Sequence, residues 1–184
     1  MTYSDVLLDL KTNRVLIEYE PNRLIHIRRL LQNGVNEQML QNFCDEVYDY
    51  VDDNAYFSLR SLKNNGFTSD LFDLGFSDWF YSILLLFDSR FSYSNMFGNI
   101  ILYKGNKEIT IKSFETMLIQ KHQSIDVYDL MSEMNDNYGC HVQDRLDLIY
   151  KVADTEIHHD RTLDRLYANE ELYYHEVETK GEAW

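Results

Sequence analysis

The sequence predicts an α+β fold, mostly helical, built from two tandem units that each close with a small β-hairpin. Three observations carry that prediction. Apolar residues recur at intervals of three and four over most of the chain, with only short runs of period two between them. Breaks are few, because there is a single proline and only seven glycines, and Gly34, Gly66 and Gly139 each fall where a helical run ends. Shifting the chain by 66 residues lays one helix-and-hairpin segment on a second without a gap. At 184 residues, 45% hydrophobic and 14% aromatic, the chain has enough apolar surface for one medium core or two small ones, which excludes intrinsic disorder.

The elements follow in order. Val15-Leu16-Ile17-Glu18-Tyr19 is strand-like. Pro21 behind it suits the first turn of a helix, where its missing N–H costs nothing, and this helix is expected to run to about Gln32 with Leu24, Ile27 and Leu31 on one face. The clearest amphipathic helix carries Leu40, Phe43, Cys44, Val47, Tyr48 and Val51 at helical spacing. Tyr56-Phe57 reads as a minimal strand, Leu59 to Asn65 as a short helix closed by Gly66, and 67–76 as a loop with aromatic anchors. Asp78 to Phe87 is a helix-length apolar run. Phe91 to Tyr93, a turn over Asn95 to Asn99, and Ile100 to Tyr103 make a hairpin.

The second half repeats this order. Ile111 to Lys121 is helical with Phe114, Met117 and Leu118 on one stripe, and Ser124-Ile125-Asp126 is a short strand. Val127 to Tyr138 is a helix with Tyr128, Met131 and Met134 at helical spacing, ended by Gly139. Leu146, Ile149, Tyr150 and Ala153 mark the next helix. Glu156 to His159, a turn at Asp160 to Asp164, and Arg165-Leu166-Tyr167 form the second hairpin. At the 66-residue shift Asp78 meets Asp144, Ile83 meets Ile149, Asp88 meets Asp154, Phe91 meets Ile157, Tyr93 meets His159 and Ile100 meets Leu166. The expected division is an extension over 1–35, a first unit over 36–107, and a second over 108–184 with a closing helix from about Asn169 to Val177.

Each unit reads helix, short strand, helix, helix, strand, turn, strand. In that order residues 36–104 and 110–168 resemble the winged-helix branch of the helix-turn-helix superfamily, twice in tandem, with each hairpin as the wing. A looser resemblance is to the small acidic tandem winged-helix accessory subunits of chromosome-condensing complexes. The resemblance implies that the helices beginning at Asp78 and Asp144 stand where a DNA reader keeps its groove-reading helix. The first of these contains no Lys or Arg, and the second offers Arg145 and Lys151 against Asp144 and Asp147.

Charge weighs against a nucleic-acid reader. There are 31 acidic residues against 17 Lys and Arg, a net charge of −14, and acids outnumber bases in every quarter of the chain. The densest positive patches are Arg23, His26, Arg28 and Arg29 near the N-terminus and His158, His159, Arg161 and Arg165 in the second wing. Both are candidates for contact with phosphate or with an acidic protein face. No catalytic, cofactor or metal site is expected. Glu156, His158 and Asp160 share one strand, too splayed for a metal, and Cys140-His141 lacks an acid–base partner. Glycine-rich phosphate loops and zinc-finger spacings are absent.

Two cysteines are too few for a disulfide scaffold, so a reducing, cytoplasmic setting is expected. The first twenty residues contain Asp5, Asp9, Lys11 and Arg14 and no signal-peptide core, and the longest uncharged apolar stretch, Trp79 to Phe87, is far below the ~20 residues of a membrane span. The expectation is a non-enzymatic adaptor or regulator that binds mainly protein within a nucleic-acid-handling complex. The second reading is direct DNA or RNA binding, and the third an acidic inhibitor that mimics nucleic acid. The first 35 residues, outside both repeats, are available for homodimerisation.

Overall fold

The structure, a computed structural model, describes residues 2–181. The chain is α+β and mostly helical. Packing divides it into two compact units, Met1–Tyr93 with Ile100–Glu108, and Ser94–Asn99 with Ile109–Trp184.

In the first unit, α1 (Tyr3–Thr12) opens on a reciprocal cap: the Thr2 hydroxyl accepts from the Asp5 N–H, and the Asp5 carboxylate accepts from the Thr2 N–H at 2.7 Å. A hairpin follows, β1 (Leu16–Glu20) and β2 (Arg23–His26), with Ile17 opposite Ile25. This corrects the expected helix from Pro21 to Gln32. The fixed φ of proline suits a turn as well as a helix start, and Asn22 behind it takes φ 63, a left-handed conformation that asparagine tolerates, while its N–H donates to the Glu18 carboxylate at 2.9 Å. The helix α2 therefore spans only Ile27–Gln32.

Then come α3 (Glu37–Tyr50), β3 (Tyr56–Phe57), α4 (Leu59–Asn64), a 3₁₀ turn (Asp70–Leu74), α5 (Asp78–Leu86), β4 (Phe91–Met96) and β5 (Asn99–Lys104). Helix α3 buries Leu40, Phe43, Cys44 and Val47, as its spacing predicts. The expected loop 67–76 contains the 3₁₀ turn, and its Phe67 and Phe72 pack edge-on to Phe43. Strands run in the order β3-β5-β4, with Phe57 opposite Leu102. The hairpin turn is tighter than expected: Phe97 and Gly98 both take positive φ, the signature of a two-residue turn, and β4 reaches Met96. Strand β1 packs along α5, which is buried from Phe80 through Leu85. Ile17, Ile27, Leu30 and Val35 join the same core, so residues 1–35 fall within this unit.

The second unit contains α6 (Ile111–His122), β6 (Ser124–Asp126), α7 (Val127–Tyr138), α8 (Arg145–Val152), β7 (His158–Asp160), β8 (Arg165–Tyr167) and α9 (Glu170–Gly181). Its strand order, β6-β8-β7, repeats that of the first unit with the last strand in the middle, and Ile125 lies opposite Leu166. Helix α7 ends at Gly139, with φ 71. In three helices the buried residues are not the apolar set that the spacing picks out. Helix α6 buries Phe114, Glu115, Leu118 and Ile119, leaving Met117 half-buried. Helix α7 buries Val127, Leu130 and Met134, and leaves Tyr128 exposed. Helix α8 buries only Leu148 and Val152. Helix α8 carries apolar residues on two faces, and packing against α6 and α7 selects Leu148 and Val152 as the inner ones.

Candidate interaction site on the second unit

Helix α8 starts where the Asp144 carboxylate accepts from the Leu146 N–H at 2.9 Å. With Leu148 and Val152 turned to the core, the helical repeat sends Leu146, Tyr150 and Ala153 to the opposite side and leaves Ile149 half-buried on the flank between. Leu146 is 41% exposed and Tyr150 73%. The wing beside this face turns through Asp160, whose carboxylate accepts from the N–H groups of Thr162 and Leu163 at 2.8 and 3.2 Å. That turn leaves Leu163 more than half exposed.

Asp164 joins helix and wing. Its carboxylate accepts from the Arg145 guanidinium, lies 3.0 Å from His159 Nε2, and its backbone carbonyl accepts from the Val127 N–H at 3.0 Å. Between α8 and the wing lies a groove of about 590 Å³, with Leu146, Ile149, Tyr150, Ala153 and Ile157 among its apolar walls and Arg145, His158, His159, Arg161 and Asp164 as its ionisable ones. Two arginines and two histidines thus meet a single carboxylate, a local reversal of sign in a chain of charge −14.

The basic residues predicted from sequence meet different fates. In the wing, the His158 ring stacks on Tyr173 at 4.2 Å between centroids, and Arg165 turns away to donate to the Ser124 hydroxyl at 3.1 Å. Arg161 is exposed at the turn and Lys151 is exposed on α8. In the first unit Arg23 pairs with Glu20 at 2.5 Å and stands over the Tyr19 ring. It lies on β2 rather than on a helix, and the His26 ring caps α2 by accepting from the Arg28 N–H at 3.1 Å. Arg28 and Arg29 are exposed on α2, and Arg29 edges a hollow of about 310 Å³ with Leu24, Leu30 and Phe76.

Behind the groove, Glu115 on α6 is fully buried, and neither carboxylate oxygen has a hydrogen-bond partner. Burial pushes its pKa up to about 8, Asp147 adding to the rise and Lys151 opposing it. Burial likewise pushes the Cys140 thiol up to about 12, with the Glu115 charge adding to it, and the Cys44 thiol to about 11. Both are the reverse of an activated nucleophile. Among the described residues no group of three His, Cys, Asp or Glu side chains is placed to hold a metal ion, and no helix is long and apolar enough to cross a membrane.

In the sequence Leu146, Ile149, Tyr150 and Ala153 mark only a helix, and their spacing alone does not show that they form the apolar wall of a groove. A second stripe, Leu148 and Val152 at a spacing of four, was the signal that α8 has apolar residues on two faces. Compared with protein-family models, with curated proteins and with solved structures, the chain finds no match in any of the three.

Proposed function

We propose that this chain is a non-enzymatic adaptor or regulatory protein that binds chiefly a protein partner within a nucleic-acid-handling complex. The observation that carries the reading is the outward face of α8. Where a winged-helix DNA reader presents Arg, Lys, Asn or Gln to base edges, this helix presents Leu146, Ile149, Tyr150 and Ala153 beside the wing. Exposed tyrosine and leucine within a polar rim are the anchors of protein interfaces. The nucleic-acid setting rests on the resemblance to tandem winged-helix proteins.

The second reading, direct binding of DNA or RNA, is favoured by the exposure of Arg28, Arg29, Lys151 and Arg161. A labelled duplex of about 30 base pairs titrated at two salt concentrations separates the two, since binding through four phosphate contacts would weaken with a logarithmic salt slope of about −3.6. The adaptor reading expects no submicromolar binding at physiological salt, and expects the tagged full chain to co-purify with a protein that crosslinks to residues 145–163. Tight duplex binding abolished by Arg28→Glu with Arg161→Glu would reverse the preference.

A further inference from the structure

We propose that the groove between α8 and the wing takes an extended segment of a partner protein in which apolar and acidic residues alternate. The inference rests on the adaptor reading and supplies the partner's chemistry. It comes from comparing the two units, each taken by itself. Helix α5 packs against α3 and α4, and α8 packs against the equivalent pair α6 and α7. Helix α5 has a further neighbour, β1, whereas among the described residues no strand packs along α8 to a comparable extent. At the 66-residue shift, Leu146, Ile149 and Tyr150 correspond to Phe80, Ile83 and Leu84. All three of the latter are buried, while Tyr150, in the position of Leu84, is 73% exposed. Apolar positions of this helix therefore recur in both units, buried in the first and, at Leu146 and Tyr150, exposed in the second.

The strand that seals α5 shows what such a face accepts. Its sequence is Leu16-Ile17-Glu18-Tyr19-Glu20. Ile17 goes into the core and Tyr19 packs edge-on to Phe76, while Glu18 pairs with Lys11 and Glu20 with Arg23 at the margin. The open groove repeats both halves of that chemistry. Its apolar wall would meet alternate side chains of an extended segment, and Arg161, with the two histidines, stands where acidic side chains would lie. An acidic segment is repelled by most of this surface and attracted here, which gives register as well as affinity.

The test uses the full chain, isotopically labelled, and a soluble peptide that repeats Leu16–Glu20 twice, alongside the same peptide with Lys for Glu. The expected result is amide shifts within 145–164, a preference of about tenfold or more for the acidic peptide, and loss of binding in Leu146→Asp with Tyr150→Asp. Both positions are exposed, so the variant keeps its fold, and unchanged amide spectra elsewhere verify this. Arg161→Glu is expected to weaken binding several-fold, less so at high salt.

Equal or better binding of the Lys peptide, or no binding of either, overturns the proposed chemistry. Shifts confined to residues outside 145–164 overturn the site and leave the adaptor reading in place. Concentration-dependent dimerisation abolished by Tyr150→Asp assigns the groove to a second copy of the chain. Shifts caused by a duplex of about 30 base pairs and not by the peptide remove both the inference and the adaptor reading.

Discussion

Arg145 in the first turn of α8 donates to the carboxylate of Asp164 at the end of the wing turn, so the two walls of the groove are held by one ion pair. The same carboxylate faces His159 at 3.0 Å, and Asp164 itself takes φ 52, a conformation that aspartate and asparagine tolerate better than alanine. Asp164→Asn removes the charge and keeps the tolerance, whereas Asp164→Ala removes both. For a half-exposed pair the first change is expected to cost about 1 kcal/mol and the second about 1 kcal/mol more. Urea unfolding of the two variants measures the difference. Equal costs would mean that the backbone at Asp164 is unstrained.

Glu115 makes the second unit lose stability as pH rises from about 4.5 to about 8. Its folded pKa, about 8, lies above the ordinary value of 4.5. Between those values the folded state holds a proton that the unfolded state has released, so stability falls as pH rises, by about 1.4 kcal/mol per unit at the steepest, and levels off above the folded pKa. Glu115→Gln keeps the shape and has nothing to titrate. Its advantage over the native chain is expected to grow from pH 5 to pH 8, read as a widening gap in urea midpoint. A gap independent of pH would show that Glu115 is ionised in the fold.

The first unit is expected to have the opposite sensitivity. Burial opposes ionisation of Asp88, but hydrogen bonds from the Arg90 side chain and N–H outweigh it and hold this carboxyl below the usual carboxylate range. Arg90 also reaches Asp45 at 2.7 Å, and that carboxyl is lowered by its hydrogen bonds from Gln41 and Arg90. A depressed folded pKa contributes stability that is present above the unfolded value of 3.8 and is lost as pH falls through the folded pKa. Asp88→Asn should therefore flatten the acid limb of the first unit's unfolding and leave the alkaline limb unchanged. Hydrogen exchange at the amides of α5 and β5, followed from pH 3 to pH 6, distinguishes the units.

The parts of the fold that local chemistry decides were legible in the sequence. Helix α7 ends at Gly139 because its left-handed conformation suits glycine, and α3 buries the stripe that its spacing marks because its other faces are polar. The hairpin β1–β2 was not legible, since Pro21 fits a turn and a helix start equally well and the long-range contact of β1 with α5 decides between them. Helix α1 has a readable signal in Thr2 and Asp5, whose spacing is that of a reciprocal cap. The groove was hidden for a different reason. Helix α8 is apolar on two faces, and only the packing of α6 and α7 selects Leu148 and Val152 as the inner one. Of the predicted basic residues, Arg145, His158, His159 and Arg161 come together, while Arg165 is diverted by the Ser124 hydroxyl, a partner 41 residues away that linear order does not reveal.

The covering of α5 by β1 yields the last prediction. Ile17 is 2% exposed near the start of β1, and Ile17→Ala should cost about 2–5 kcal/mol, the range for emptying a buried isoleucine site. A more local consequence follows if β1 acts as a seal. Loosening it uncovers the side of α5 along which β1 packs, so the variant in its native baseline should bind an apolar dye such as anilinonaphthalene sulfonate more than the native chain does. Adding Tyr150→Asp to the native chain should instead lower the dye signal, because the open face of α8 is where the native chain exposes such surface. Amide exchange should rise along β1, β2 and α5 in Ile17→Ala while that of α8 stays unchanged. If Ile17→Ala loses stability with no added dye binding and no selective exchange at α5, β1 is ordinary core packing, and the comparison between the sealed face and the open one loses its support.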